Sequence, residues 1–215
     1  MVEHLTCNHE VFGSIPKVGF FKGFSQFFAK DKVNNKRGYN MKKFFLAFFS
    51  AVFFISALYS QSSSEILGEL FVDENNGFSM YIPIGWEEGN LGSINIVMGP
   101  IDNGFSPNMT FGIEVGEYSG SLTEYIDAVI QVVSTIYTNL KIAEKRSFST
   151  NSSLRGETAV IQGSVNNMTI RQKLYCFRSK DGSSIMVITG TAVAEHSERY
   201  DAVFDACVKT FSWSK

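Results

Sequence analysis

Four consecutive segments in the second half of the chain have the pattern of strands joined by short turns. They span residues 141–148, 157–165, 168–178 and 184–192. Asn166 and Asn167 join the second segment to the third, and Lys180-Asp181-Gly182 joins the third to the fourth. Asn, Asp and Gly tolerate the positive φ angles of tight hairpins, and strands connected this closely must run antiparallel. The sequence therefore predicts an antiparallel sheet built around a four-strand meander.

Two helical segments flank this meander. Residues 121–139 carry apolar side chains three and four positions apart, which gives one apolar stripe. Ser121 and Glu124 match a capping box, in which each side chain accepts a hydrogen bond from the backbone N–H of the other residue. A second stripe predicts a final helix over about residues 197–211. Because a helix with one apolar face must bury it, we expect an α+β fold: a central antiparallel sheet of about six or seven strands flanked by helices.

Shorter strands are predicted before the first helix, at residues 70–72, 78–82, 94–98 and 109–115. Pro83 ends the second of them, and residues 99–107, with Gly and Pro, have the composition of an exposed loop. Loops on a rigid scaffold commonly carry recognition, so Asp102 and Phe105 are the candidate contacts with a binding partner. The competing interpretation is that Phe105 folds back onto the core.

Residues 41–61, MKKFFLAFFSAVFFISALYSQ, have the three parts of a secretory signal. Two lysines precede an apolar run of 16 residues, from 44 to 59, and small residues lie at its end. A membrane-spanning helix needs roughly 20 apolar residues, so this run favours a cleaved signal, with Ala57 and Ser60 in the cleavage region. The alternatives are an uncleaved anchor and a buried helix of a globular domain, and a run this rich in Phe leaves no polar face for the latter.

The forty residues ahead of this signal have two explanations. We expect that translation begins at Met41 and that residues 1–40 are an overextended, disordered leader. The alternative is a cytoplasmic tail on a signal anchor, because the excess of Lys and Arg in the leader also fits the positive-inside rule. The predicted organisation is then a signal at 41–60, a polar linker at 61–69 and a single domain at 70–215.

The charge and the reactive residues of the predicted mature chain exclude several function classes. From residue 61 on, the chain holds 11 Lys and Arg against 18 Asp and Glu, a net charge of −7, and it has no basic run, so we expect no nucleic-acid partner. His196 is the single histidine of this part, which leaves no ligand set for zinc, and we expect no cofactor. Cys176 and Cys207 both fall on apolar stripes. Two separate buried thiols are the preferred interpretation, and a disulfide between them is the alternative.

Residues 78–86, FSMYIPIGW, carry a resemblance to a known family. An alternating strand followed by Pro-x-Gly-Trp near the start of a domain resembles the PsbP-like superfamily, which includes the oxygen-evolving subunit of photosystem II, DcrB-type envelope proteins of bacteria and a eukaryotic Ran-binding import factor. The likeness extends over about residues 70–213, with one long helix before the meander and a closing helix. It implies an α/β/α sandwich that binds or helps to assemble other proteins without catalysis.

These patterns together predict an exported, non-catalytic protein of the cell envelope that acts as a protein-binding or assembly module. The expected partner is another envelope protein, and contact with the membrane is expected only through the signal segment, if that stays uncleaved. The alternative function is an extracytoplasmic carrier of a small apolar ligand. Its motivation is the aromatic richness of the domain, which could line a pocket: Phe71, Phe78, Tyr81, Trp86, Phe105 and Phe111.

Overall fold

The computed structural model describes residues 66–91, 94–116 and 118–214. The predicted leader and signal, with Ala57 and Ser60, lie outside the described residues. Within them the strands are β1 Leu67–Asp73, β2 Phe78–Pro83, β3 Glu87–Leu91, β4 Ile94–Met98, β5 Asn108–Val115, β6 Thr138–Ser149, β7 Arg155–Val165, β8 Met168–Arg178, β9 Ser184–Val193 and β10 Ser212–Trp213. The helices are α1 Leu122–Val133 and α2 Ser197–Val208.

A large antiparallel sheet forms the centre of the fold. Its seven strands, as far as the structure describes the chain, lie in the order β3-β4-β5-β9-β8-β7-β6. The predicted meander is its second half, with β6 to β9 adjacent in space, and Asn166 and Asn167 adopt the positive φ angles of 49° and 64° that their hairpin requires. The predicted fold class, an α+β arrangement with six or seven antiparallel strands and flanking helices, is confirmed.

A second, three-stranded sheet has the order β1-β2-β10 and was not predicted as a separate sheet. β10 is two residues long, and it pairs Ser212 with Ser79 and Trp213 with Phe78. Pro83 ends β2 as predicted. Glu87 and Glu88 lie in β3, a strand that was not predicted, and β3 pairs with β4 at the edge of the large sheet. The sequence EEGNL lacks apolar alternation, since an edge strand exposes much of its length to solvent.

Two apolar clusters lie on opposite faces of the large sheet. α1 packs over β7 and β8 on one face, and its buried residues include Tyr125, Ile126, Val129, Ile130 and Val133. On the other face α2 and the small sheet enclose a second cluster, which includes Phe71, Phe78, Tyr175, Phe204 and Phe211. The molecule is thus a sandwich in which successive residues of each central strand enter different clusters.

α1 begins where the sequence predicts and ends earlier. Ser121 is the N-cap: its hydroxyl accepts from the backbone N–H of Glu124, while the Glu124 carboxylate accepts from the backbone N–H of Ser121, so the capping box is confirmed. The helix stops at Val133 and not near Asn139. Ser134 and Thr135 donate their hydroxyl hydrogens to nearby backbone carbonyls, which favours a turn over further helix. A short turn follows, and β6 begins at Thr138.

Candidate functional site

The loop that was predicted to contact a partner contains a tight turn. Asp102 and Phe105 exchange two backbone hydrogen bonds, with the N–H of Asp102 donating to the Phe105 carbonyl at 2.8 Å and the N–H of Phe105 donating back at 3.0 Å. Between them Asn103 and Gly104 have φ angles of 50° and 77°. Two consecutive residues with positive φ define a turn of the I′ kind, which is why Asn-Gly occurs here.

Phe105 is buried, so its prediction as an exposed contact was wrong. Its side chain is 8% exposed and packs in the cluster under α1. The competing interpretation, that the ring folds back onto the core, is the one that the structure shows. Turn-forming neighbours fix the backbone of the loop but do not determine which way a large side chain points, and an apolar surface within reach decides that.

The Asp102 carboxylate already accepts hydrogen bonds from side chains of the same molecule. Its Oδ2 accepts a hydrogen bond from Tyr200 at 2.9 Å and lies 2.7 Å from His196 Nδ1, with His196 and Tyr200 placed just before and within α2. These hydrogen bonds, with the charge of nearby Arg199, lower the pKa of the Asp102 carboxyl below its usual value. The predicted contact role therefore does not fit this side chain. The turn joins the two layers, since Phe105 enters one cluster and Asp102 holds the helix of the other.

The two cysteines are both free and buried. Cys176 belongs to the cluster under α1, whereas Cys207 belongs to the cluster under α2, so the large sheet separates them. The alternative of a disulfide is therefore wrong, and the two thiols are separate. Burial raises the pKa of both thiols, most strongly that of Cys176, which disfavours the reactive thiolate.

The aromatic residues that suggested a ligand pocket mostly pack on one another. Phe71 stacks on Phe111 with ring centroids 5.1 Å apart, and Phe78 contacts both rings at 5.8 and 5.9 Å. Trp86 packs edge-on against Tyr200 and Phe204 at the margin of the cluster under α2. Because these rings fill the core, they do not support the alternative that they line a cavity for an apolar ligand.

A charged seam between β8 and α2 was missed by the sequence analysis. Arg171 donates two hydrogen bonds from its guanidinium group to Asp201 Oδ2, at 2.6 and 3.1 Å. Lys173, which is 4% exposed, pairs with Asp205 at 2.9 Å, and Tyr175 donates its O–H to the same carboxylate oxygen at 2.7 Å. The signal was present in the sequence: three polar side chains alternate along β8, and two aspartates lie four residues apart on α2. The seam fixes the helix on the sheet.

An apolar patch faces outward on the small sheet, and we call it the Tyr81 patch. It consists of Leu70, Val72 and Tyr81, which are 50%, 50% and 43% exposed. Leu70 and Tyr81 lie directly opposite each other on β1 and β2. The strand residues between them, including Phe71 and Met80, point inward to the core, so both faces of this sheet are apolar. Adjacent exposed apolar side chains on one face are the feature that marks interaction surfaces.

The signal for the Tyr81 patch was also present in the sequence. Leu70, Phe71 and Val72 are three apolar residues in succession, and a strand that covers a core from one side needs only every second one. Tyr81 likewise lies between the inward-facing Met80 and Ile82. Because side chains alternate along a strand, the inward-facing residues also determine which residues face outward.

Two further properties of the described residues bear on function. In the part of the chain that the structure describes, no group of three or more His, Cys, Asp or Glu side chains is placed to hold a metal ion. Among the same residues, no helix has the length and apolar character needed to cross a membrane.

No family model matches the chain, and no curated protein matches it in sequence. Solved structures do. A cyanobacterial PsbP (CyanoP) from Synechocystis sp. PCC 6803 is similar with a TM-score of 0.53 and 10% sequence identity, over 67% of this chain and 91% of that one. The chain has the PsbP-like fold. LpqN of Mycobacterium tuberculosis, described as involved in cell envelope biogenesis, is similar with a TM-score of 0.50 and 8% identity, over 63% of this chain and 82% of that one.

The PsbP-like fold confirms the resemblance seen in residues 78–86. Within that segment Pro83 ends β2, Gly85 adopts a φ of 74° and Trp86 packs on α2. Each residue thus has a structural reason to be where it is. At identities of 10% or less the shared property is the fold, and function has to be argued from the surface of this chain.

Proposed function

We propose that this protein is an exported, non-catalytic component of the cell envelope that binds another protein through the Tyr81 patch. The observation that carries the proposal is the placement of Leu70, Val72 and Tyr81 side by side on one outward face. A tyrosine at the centre of an apolar patch suits recognition, because its ring buries a large area and its hydroxyl keeps a hydrogen bond.

Charge indicates the kind of partner. Glu69 and Glu74 are exposed and lie on and just after β1, the strand that carries Leu70 and Val72, and the chain from residue 61 on has a net charge of −7. The acidic charge of this chain would attract a partner with a basic rim from a distance, and the apolar centre of that partner would lose its water on contact with the patch. The partner that fits is therefore a protein with a basic surface. An acidic protein or a nucleic acid does not fit.

Export is supported by the signal pattern in residues 41–61, and an envelope role by the likeness to LpqN. Replacing Phe49 and Phe53 by Arg should hold the precursor in the cytoplasm, because each charge costs about 2.5–3.5 kcal/mol at the centre of an inserting segment. Cell fractionation measures this. Normal export of the double variant would refute the signal.

Site-specific crosslinking tests the binding surface. A photoreactive phenylalanine analogue is placed at Tyr81 or Val72 in the exporting cell, and at Ile142 as a control, since Ile142 is 52% exposed but lies on β6, away from the small sheet. We expect one discrete crosslinked species of the same mass from Tyr81 and Val72 and none from Ile142. Equal crosslinking at all three positions would overturn the proposal.

Affinity then distinguishes a true partner from a neighbour. The crosslinked protein is identified by mass spectrometry, purified and titrated against this chain by calorimetry. Tyr81→Ala should weaken binding by about tenfold or more, as expected for the loss of a central aromatic contact, while Ile142→Ala should leave it unchanged. An unchanged affinity in Tyr81→Ala would show that the patch is not the interface.

A further inference from the structure

A cleft lies where the two sheets meet at one end of the sandwich. Its volume is about 520 Å³. Three segments form it: the turn between β1 and β2, the turn between β8 and β9, and β10. The backbone N–H of Ser214 donates to the Gly77 carbonyl at 2.8 Å and so holds the end of β10 against the first turn. The lining residues used below are Asn75, Lys180, Asp181, Ser183 and Trp213.

Trp213 gives the cleft an aromatic wall. The indole is partly buried: it packs edge-on against Phe211, with ring centroids 5.4 Å apart and planes at 78°. Its Nε1 is shielded from solvent. The indole therefore offers a ligand its ring surface and not its N–H. A partly exposed aromatic ring that the core fixes on one side is a stacking surface that costs little to order.

The two turns that line the cleft supply polar groups and charges of both signs. Asp181 accepts hydrogen bonds from the hydroxyls of Ser179 and Ser183 and from the backbone N–H of Ser183. These bonds hold the turn in one conformation and lower the pKa of the Asp181 carboxyl to about 2, so it stays ionised. Among the described residues no carboxylate lies within ion-pair distance of Lys180, and no side-chain hydrogen bond is made by Asn75, so both groups are available to a ligand.

This combination selects a ligand class. An apolar ligand would cover the Lys180 and Asp181 charges without hydrogen-bonding to them, and a simple anion needs an excess of positive charge, whereas here one Lys is matched by one Asp. A sugar ring has C–H groups on its faces, which suit an indole, and hydroxyls around its edge, which both donate and accept. We propose that the cleft binds a saccharide, with a sugar ring stacked on Trp213 and its hydroxyls bonded to Asn75 and Lys180.

The cleft and the Tyr81 patch are separate surfaces, so this inference does not rest on the proposed protein partner. No residue of the patch lines the cleft. A protein with both would hold a polysaccharide at one end and a protein on the outer face of its small sheet.

Calorimetric titration of the purified protein with maltotriose, cellotriose and chitotriose tests the proposal. We expect at least one of the three to bind with a Kd of about 1 mM or tighter. Asn75→Ala and Lys180→Ala alter exposed turn side chains and should each weaken that binding by about tenfold. Lys141→Ala removes an exposed lysine from β6 and is the matched control, which should bind as the parent does.

A second readout uses the two tryptophans of the chain. Trp86→Phe leaves Trp213 as the only indole, and its fluorescence should change saturably with the same trisaccharide. A parallel titration with inorganic phosphate identifies an anion site. Any of three results would overturn the proposal. None of the trisaccharides binds, phosphate competes with the sugar for the cleft, or sugar binding is unchanged in both Asn75→Ala and Lys180→Ala.

Discussion

Asp102 and Phe105 are three positions apart in one turn, yet their side chains enter opposite layers of the sandwich. The turn itself was readable from the sequence, because Asn103-Gly104 is the pair that positive φ angles require. The layer that each side chain enters could not be predicted, since it depends on which surfaces the rest of the fold brings within reach. Pro83 was predicted correctly for the opposite reason, because the effect of a proline on its strand is local.

Phe105→Ala should behave as a core truncation. Because the ring is 8% exposed and packed under α1, we expect a loss of about 3 kcal/mol in the free energy of unfolding. Val129→Ala, in the middle of the α1 stripe, should lose about 1–3 kcal/mol and is the benchmark. Ile101→Ala, at a side chain that is 80% exposed, is the control and should stay within about 0.5 kcal/mol. Urea unfolding measures all three, and equality of Phe105→Ala with Ile101→Ala would contradict the packing.

Asp102→Asn should lower stability in a pH-dependent way. The hydrogen bonds from His196 and Tyr200, with Arg199 nearby, favour the ionised carboxylate in the folded state, so its pKa lies below the usual 3.8. A group with a lowered pKa contributes stability above pH 3.8 and loses it as the pH falls through the folded value. The melting temperature of the parent should therefore exceed that of Asp102→Asn near neutral pH, and the gap should narrow below about pH 4. A gap that stays constant down to pH 2 would exclude an ionic role.

At the scale of elements, hairpins and helix starts were predicted well, and contacts between elements were not. β8 has the predicted bounds and α1 the predicted cap, because turn residues and capping boxes act within a few positions. The seam between β8 and α2 joins residues about thirty positions apart. Its alternating polar residues on β8 could equally have faced solvent, and only the docking of α2 identifies their partners.

Lys173→Met should destabilise the protein because it leaves the Asp205 carboxylate without its closest cation. We expect a loss of about 2 kcal/mol, less than for a fully buried pair, since Asp205 is 25% exposed and keeps the Tyr175 hydroxyl. The double variant Lys173→Met/Asp205→Leu should recover at least half of that loss, because no unpaired charge remains.

Lys145→Met supplies the matched control for this pair. Lys145 also bonds an aspartate, Asp127, but both side chains are a third or more exposed. Its removal should change the free energy of unfolding by less than about 0.5–1 kcal/mol. If Lys173→Met and Lys145→Met cost the same, the seam does not hold α2 to the sheet.

At the scale of the whole molecule, the antiparallel architecture followed from the meander, and the division into two sheets did not. The four strands from β6 to β9 alternate and are joined by short turns, so their pairing was determined locally. The third strand of the small sheet is β10, a two-residue strand that pairs with residues more than 130 positions earlier. A strand of that length has no periodicity to detect, and its pairing exists only once α2 has brought it back to β2.

A chain that begins at Ser62 should fold without the preceding residues. Every described element lies after that position, and both apolar clusters are built from them. We expect a single cooperative transition in thermal unfolding monitored by circular dichroism, with the same midpoint for near- and far-ultraviolet signals. A requirement for residues 1–40 in obtaining a cooperative, soluble protein would refute the interpretation of those residues as an overextended leader.

The placement of the two thiols has a consequence for how the protein matures. Since the large sheet lies between Cys176 and Cys207, no oxidase can join them once the fold is complete, and reducing agents have nothing to break. If the chain is exported as proposed, the risk of oxidation comes earlier, while the chain is unfolded in an oxidising compartment and either thiol can react with another chain. Fast closure of the local β6 to β9 meander would shorten that period, because it buries Cys176 before the distant ends of the chain have met.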